Sequence, residues 1–325
     1  MNSTLQLPSY VQWDITANCN LSCIHCRFGG QHKYPEMQKD QASIIVSQIH
    51  IIKPHTCAIS GGEPTLSPLF FYIIEHIRSA VNNIIILTNG TTLTDQIVSS
   101  LRAYDISNVQ ISLDGSSSVH SSIRKSSSFA DIIQSMRTLK KFEINFWTKM
   151  TIMNENMDYV KDFINISQSE GASFCVIGRC KPIGNAASSK IHSELLKKSY
   201  SDAYDAANHY GIDLHSEDKF FDIYFSTETQ NTPGGCGAGR DMAYIDPFGK
   251  ILFCPYLPVL CGDLLDEPFM NIWNSSEAYQ KLRHIDANKT GKCKNCLYLS
   301  ICGGCPAVAY AETGSIFESD PHCWL

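Results

Sequence analysis

The sequence has no surplus of basic residues: 26 Lys and Arg stand against 32 Asp and Glu, for a formal net charge of −6. It also has no long Lys/Arg run, so it carries no nucleic-acid footprint. Long apolar runs are missing too. The longest, such as Ile84-Ile85-Ile86-Leu87, are strand-sized, whereas a membrane-spanning helix needs roughly 20 apolar residues. The start, Met1-Asn2-Ser3-Thr4, lacks the basic residues and apolar stretch of a secretory signal. These absences predict a cytoplasmic chain with no membrane or nucleic-acid partner.

What the sequence has in excess is cysteine, 14 in 325 residues. A secreted disulfide scaffold fits poorly, because the chain is large, shows no signal and has apolar patterns able to build a core unaided. In a reducing compartment, closely spaced cysteines point to metal. Cys19, Cys23 and Cys26 lie within eight residues, and eight more cysteines follow residue 235. Only Cys57, Cys175 and Cys180 lie between.

The pattern between these groups alternates. Strands are expected at 9–15, 56–60, 83–88, 109–113, 145–153 and 172–177, and helices near 38–52, 67–81, 94–103, 128–141, 155–169 and 191–210. Six strand–helix units in a row imply a parallel sheet with right-handed crossovers. Six are too few for a closed eight-unit barrel, so an open, partial barrel is expected, with function at the carboxyl ends of its strands. The unusual segments fall there: the cysteine loop, Gly61-Gly62-Glu63-Pro64, Asn89-Gly90, Asp114-Gly115 and Arg179-Cys180.

The expected division is a barrel over 1–215, a linker over 216–235 and a cysteine-rich tail over 236–325. Thr227–Gly235, rich in Thr, Pro and Gly, reads as linker. The tail predicts a hairpin (242–245 and 250–253) and two short helices (268–273 and 276–284). These are too few core segments for an ordinary domain, so bound metal is expected to supply the missing stability.

Cys19-x3-Cys23-x2-Cys26 can place three thiolates at three corners of one cubane cluster. Iron–sulfur clusters take four Cys ligands, and three would leave one iron open to a small molecule. Spacing alone leaves three alternatives standing: a zinc site recruiting His25, an electron-transfer cluster completed by Cys57, and chance.

The Cys-x3-Cys-x2-Cys loop after a first strand resembles that of the radical S-adenosylmethionine (SAM) superfamily. Gly61-Gly62-Glu63-Pro64 resembles the family's SAM-binding segment, where a strand edge and the Glu carboxylate meet the SAM ammonium. Ser112-Leu113-Asp114-Gly115 resembles the segment at the SAM ribose. Arg124 sits where relatives place an Arg on the SAM carboxylate, a role that suits a bidentate guanidinium. The resemblance implies that the open iron chelates SAM, that an electron entering the cluster cleaves it to a 5′-deoxyadenosyl radical, and that this radical abstracts a substrate hydrogen.

The tail, Cys236 … Cys254 … Cys293-x2-Cys296-x5-Cys302-x2-Cys305 … Cys323, resembles the SPASM domain of radical SAM maturases, with two auxiliary [4Fe–4S] clusters. By that resemblance Cys293, Cys296, Cys302 and Cys323 hold the distal cluster, and Cys236, Cys254 and Cys305 the nearer one. Cys261 or substrate would complete the nearer set, though a buried free thiol also explains Cys261. The chain departs from the family in having two residues, Gly303 and Gly304, where three are usual between Cys302 and Cys305.

The expectation is therefore an α/β protein, a partial (β/α)6 radical SAM barrel with a C-terminal SPASM domain, SAM and three [4Fe–4S] clusters. Cys180, at the end of the sixth strand, and Cys261 are candidate hydrogen-atom donors; packing is the plainer role for each. His120 and Asn89 are candidate polar contacts, and Lys181–Asn185 resembles a loop near the adenine. Modification of a ribosomally made peptide, by crosslinking or oxidation, is the first functional reading. The alternatives are a dehydrogenase or epimerase on a sugar or aminocyclitol, and a non-catalytic electron carrier. Expected partners are the substrate, an electron donor such as a flavodoxin or ferredoxin, and a separate peptide-recognition protein.

Overall fold

The computed structural model describes residues 6–29, 34–126, 128–225 and 235–325. Seven parallel strands, each followed by a helix, form its centre: β1 (Tyr10–Asp14), β2 (Thr56–Ser60), β3 (Asn83–Thr88), β4 (Asn108–Ser112), β5 (Asn145–Ile152), β6 (Cys175–Arg179) and β7 (Leu214–Ser216). The main crossover helices are α1 (Lys39–Ile52), α2 (Phe70–Ile77), α3 (Asp95–Ala103), α5 (Phe129–Lys141), α6 (Val160–Glu170) and α7 (Ser193–Tyr210). A further helix, α4 (Ser117–Arg124), follows β4 directly.

Residues alternate along the middle strands with the period of two that a pleated sheet imposes. On β4 and β5, Val109, Ile111, Phe146, Met150 and Ile152 are buried in the apolar core. The intervening Gln110, Ser112, Lys149 and Thr151 line a central cavity. The sheet thus has one dry face and one polar face.

Two expectations change here. The stretch 216–235 is not a linker throughout: β7 ends at Ser216 and α8 (Lys219–Phe225) follows, while 227–234 lies outside the described residues. Three residues, Leu-His-Ser, are too short to show a period, which is why β7 escaped the sequence pattern. The tail is also not short of core. Its strands β8 (Met242–Ile245), β9 (Lys250–Cys254) and β10 (Leu257–Asp263) extend the same sheet, in the order β10-β9-β8-β1-β2-β3-β4-β5-β6-β7. β8 runs parallel to β1, from Tyr10↔Met242 to Trp13↔Ile245. Phe253, Phe269, Trp273, Tyr279 and Val308 are buried, the last four carried by α9 (Phe269–Ser275), α10 (Glu277–Arg283) and α11 (Pro306–Thr313). Burying such side chains contributes about 2–3 kcal/mol each, so the tail does not depend on metal alone.

Candidate active site

The cysteine loop leaves β1 and is pinned by its neighbours' backbones. Gly62 and Glu63 donate N–H bonds to the Thr16 and Asn18 carbonyls (2.8 and 2.9 Å), and Ile24 donates to Ile123 (2.9 Å). From the far side, Asn185 donates its N–H to the Cys26 carbonyl and its amide to the Cys23 carbonyl, each at 2.9 Å. A Cβ at Gly61 would overlap the Thr16 carbonyl, one at Gly62 the Asn18 carbonyl, and one at Gly184 the Cys26 carbonyl. These glycines admit the loop's own backbone. The segment 181–185, which resembles a loop near the adenine, also clamps the cysteine loop through Asn185.

Cys19, Cys23 and Cys26 all line the cavity. Cys19 Sγ accepts the Leu21 N–H (3.4 Å) and the Asn89 amide (3.7 Å), and Cys23 Sγ accepts from Arg124 (3.7 Å). Burial pushes the Cys19 thiol up to about 11, and nearby Glu63, Cys23 and Cys26 add to the rise. Closely spaced sulfurs ionise together only when a metal supplies the opposing charge.

Arg124, at the end of α4, faces the cavity while its Nε donates to Asp114 (2.6 Å). Asp114 is fully buried, accepts the Thr151 N–H at 3.1 Å, and lies 3.4 Å from His25. Burial alone would raise its pKa; the Arg124 guanidinium, with His25, holds it well below the usual carboxylate range. Asp114 is not among the cavity-lining residues, and its carboxylate aims Arg124. Glu63 is fully buried as well. Its buried carboxylate accepts from Thr65 Oγ1 (2.6 Å), Thr88 Oγ1 (2.8 Å) and the Asn89 N–H (2.8 Å), tying the ends of β2 and β3 together. Gly61, Gly62, Ser112 and Asn89 do line the cavity.

The cavity encloses about 560 Å³. Across from the cysteine loop its wall carries Lys149, paired with Glu217, and Lys181, 3.5 Å from Asp218. Arg27, directly after Cys26, pairs with buried Asp14 and lies over the rings of Phe28, Tyr244 and Tyr256 at 4.8, 5.8 and 6.0 Å. Of these residues only Lys181, within 181–185, was singled out from sequence. For Arg27 the available signal was its place beside the third cysteine; Lys149 and Glu217 carried none.

Cys236, Cys254 and Cys305 meet at the tail side of the same cavity. Cys293, Cys296, Cys302 and Cys323 surround a second, small pocket. A shared local geometry marks these sulfurs: each of six accepts the N–H two residues on. The pairs are Cys19–Leu21, Cys236–Ala238, Cys254–Tyr256, Cys296–Tyr298, Cys302–Gly304 and Cys323–Leu325. Hydrogen bonds of this kind favour thiolates, so the donor set fits iron–sulfur ligation. Cys180 and Cys261 behave as thiols instead, donating to the Lys181 and Val259 carbonyls (3.7 and 3.6 Å). Both are buried and neither is among the cavity-lining residues. These positions suit the plainer packing role for each.

A model of the radical SAM superfamily matches residues 13–166, and one of SPASM, an iron–sulfur cluster-binding domain, matches 236–297. An AdoMet-dependent heme synthase of Methanosarcina barkeri is 30% identical, over 97% of this chain and 96% of that protein. The chain belongs to the radical SAM superfamily. It is an enzyme of that family with a SPASM domain that binds additional iron–sulfur clusters. Mycofactocin maturase MftC of Mycolicibacterium smegmatis is 27% identical, over 98% of this chain and 83% of that protein. In fold, the chain is similar to Streptococcus suis SuiB bound to S-adenosylmethionine, with a TM-score of 0.80 at 15% identity, covering 98% of this chain and 78% of that one. Among the described residues no helix is long and apolar enough to cross a membrane.

Proposed function

We propose that this radical SAM enzyme holds its catalytic cluster on Cys19, Cys23 and Cys26 and oxidises or crosslinks a ribosomally synthesised peptide. One observation carries the reading. A single cavity has the cysteine loop, Arg124 and Ser112 on one side, Cys236, Cys254 and Cys305 on another, and hydrogen-bonding side chains between. Cluster and SAM together supply a 5′-deoxyadenosyl radical able to take a hydrogen atom from unactivated carbon. The chain's own residues position and shield. Arg124, aimed by Asp114, receives the SAM carboxylate; the edge at Gly61–Gly62 meets the ammonium; Ser112 meets the ribose. Gln12, Gln110, Thr151 and the Lys149–Glu217 pair orient substrate, and their amide and hydroxyl groups suit a peptide backbone. Cys293, Cys296, Cys302 and Cys323 hold a distal auxiliary cluster. Cys236, Cys254 and Cys305 hold a nearer one, for three in all, with electrons arriving from a flavodoxin- or ferredoxin-type donor.

The 30% match to the heme synthase over nearly the full length of both chains favours a second reading, a tetrapyrrole substrate. Reduced, cluster-loaded protein is incubated anaerobically with SAM and either a candidate peptide, from any short reading frame found beside its gene, or an iron porphyrin. 5′-Deoxyadenosine should form, with a mass change in the peptide. A mass change only in the porphyrin transfers the proposal to the second reading, and no 5′-deoxyadenosine from fully loaded protein sinks both. Lys149→Met should cut substrate conversion about 100-fold while substrate-free SAM cleavage continues.

A further inference from the structure

Beyond the cavity, one buried ion pair joins the barrel to the cysteine-rich tail. Arg179, at the end of β6, is fully buried and forks onto Asp320, also buried: Nη1 donates to Oδ1 at 2.7 Å and Nη2 to Oδ2. Asp320 in turn touches ligand candidates of both auxiliary sites. Its Oδ2 accepts the Cys305 N–H (2.8 Å), its Oδ1 the His322 N–H (3.0 Å), and its carbonyl the Cys323 N–H (3.2 Å). The shortened Cys302-Gly303-Gly304-Cys305 turn belongs to the same arrangement. Both glycines are left-handed, at φ 65° and 68°, and a Cβ at Gly304 would lie 2.8 Å from Asp320 Cβ. Phe220 beneath Arg179 (4.9 Å) packs on Trp324 (4.4 Å between ring centroids), so the end of the chain is gripped from two sides.

We propose that Arg179 and Asp320 are positioning residues that set the electrostatic environment of the nearer auxiliary cluster through the Cys305 N–H. The proposal rests on the assignment of Cys236, Cys254 and Cys305 to that cluster. An anion beside a cluster favours its oxidised form and a cation its reduced form. Removing either charge therefore moves the reduction midpoint in opposite directions, which a merely structural pair does not do.

The test is potentiometric titration of the auxiliary-cluster EPR signal in reconstituted full-length protein, with iron content measured alongside. The radical SAM cluster is identified by its response to added SAM. Asp320→Asn, which keeps an acceptor for the Cys305 N–H, should raise the midpoint of one auxiliary cluster. Arg179→Gln should lower it, and Arg179→Lys should leave it near wild type, with the SAM-responsive cluster unchanged throughout. If Arg179→Gln loses iron, a raised midpoint in Asp320→Asn beside an unchanged one in Arg179→Lys still supports the proposal. Wild-type midpoints in all variants, or shifts of one sign in Asp320→Asn and Arg179→Gln, overturn it. About four irons per wild-type chain would overturn the cluster assignment itself.

Discussion

Among single residues, His120 carries the clearest pH signature. Its Nδ1 accepts the Asp114 N–H at 3.2 Å, and its Nε2 has no hydrogen-bond partner among the described residues. Burial, with the Arg124 charge, lowers its pKa to about 4. The unfolded chain takes up this proton near 6.5 and the folded one only near 4, so between those values the unfolded state binds more protons. Stability is fully present above about 6.5 and is lost as pH falls toward 4. The loss from pH 7 to pH 5 comes to about 2 kcal/mol for this one group. His120→Gln should remove that share, which denaturant melts at the two pH values will read. Other single residues show what order along a chain conceals. The cysteines, Gly61, Gly62 and Arg124 were legible as a motif, because each needs its residue type at its spacing. The roles of Glu63 and Asp114 were not, because spacing does not say which way a carboxylate points. Lys149 and Glu217 were invisible: a lysine in a strand and a glutamate after one are ordinary until the sheet curls them together.

At the scale of elements, the cysteine loop is held between two glycine-bearing loops, one after β2 and one after β6. Gly61→Ala sets a Cβ against the Thr16 carbonyl at a backbone φ of 146°, and should cost about 3 kcal/mol. Gly184→Ala sets one against the Cys26 carbonyl at φ 60°. Neither substitution touches a thiol, yet both should lower iron at the SAM-responsive cluster while leaving the auxiliary clusters loaded. Iron content and the SAM-dependent EPR change together read this outcome. The strand–helix alternation that placed these loops was legible because β2 to β6 are long enough for their period to show. It failed at β7 and α8, where a strand of only three residues and then an aromatic cluster leave no such trace.

At the scale of the whole molecule, barrel and tail are one sheet. β8 lies on the outer edge of β1, Phe269 N–H donates to Gln48 on α1 (2.9 Å), and the Trp273 indole donates to the Gln6 carbonyl (3.1 Å). A chain cut after residue 225 would expose β1 as an open edge with the apolar pattern Val11, Trp13 and Ile15 beside it. Exposed edges of this kind recruit other chains. The truncated protein should therefore elute as aggregate on size exclusion, where the full chain elutes as a discrete species.

The pairing of β1 with β8 also has a consequence in time. A ribosome adding about 5–20 residues per second finishes β8 roughly 10–50 s after β1. Through that interval Cys19, Cys23 and Cys26 have been made, but the wall that will enclose them has not. β8 closes against a strand made about 230 residues earlier, so the loop after β1 stays open to solvent while the intervening chain is still growing.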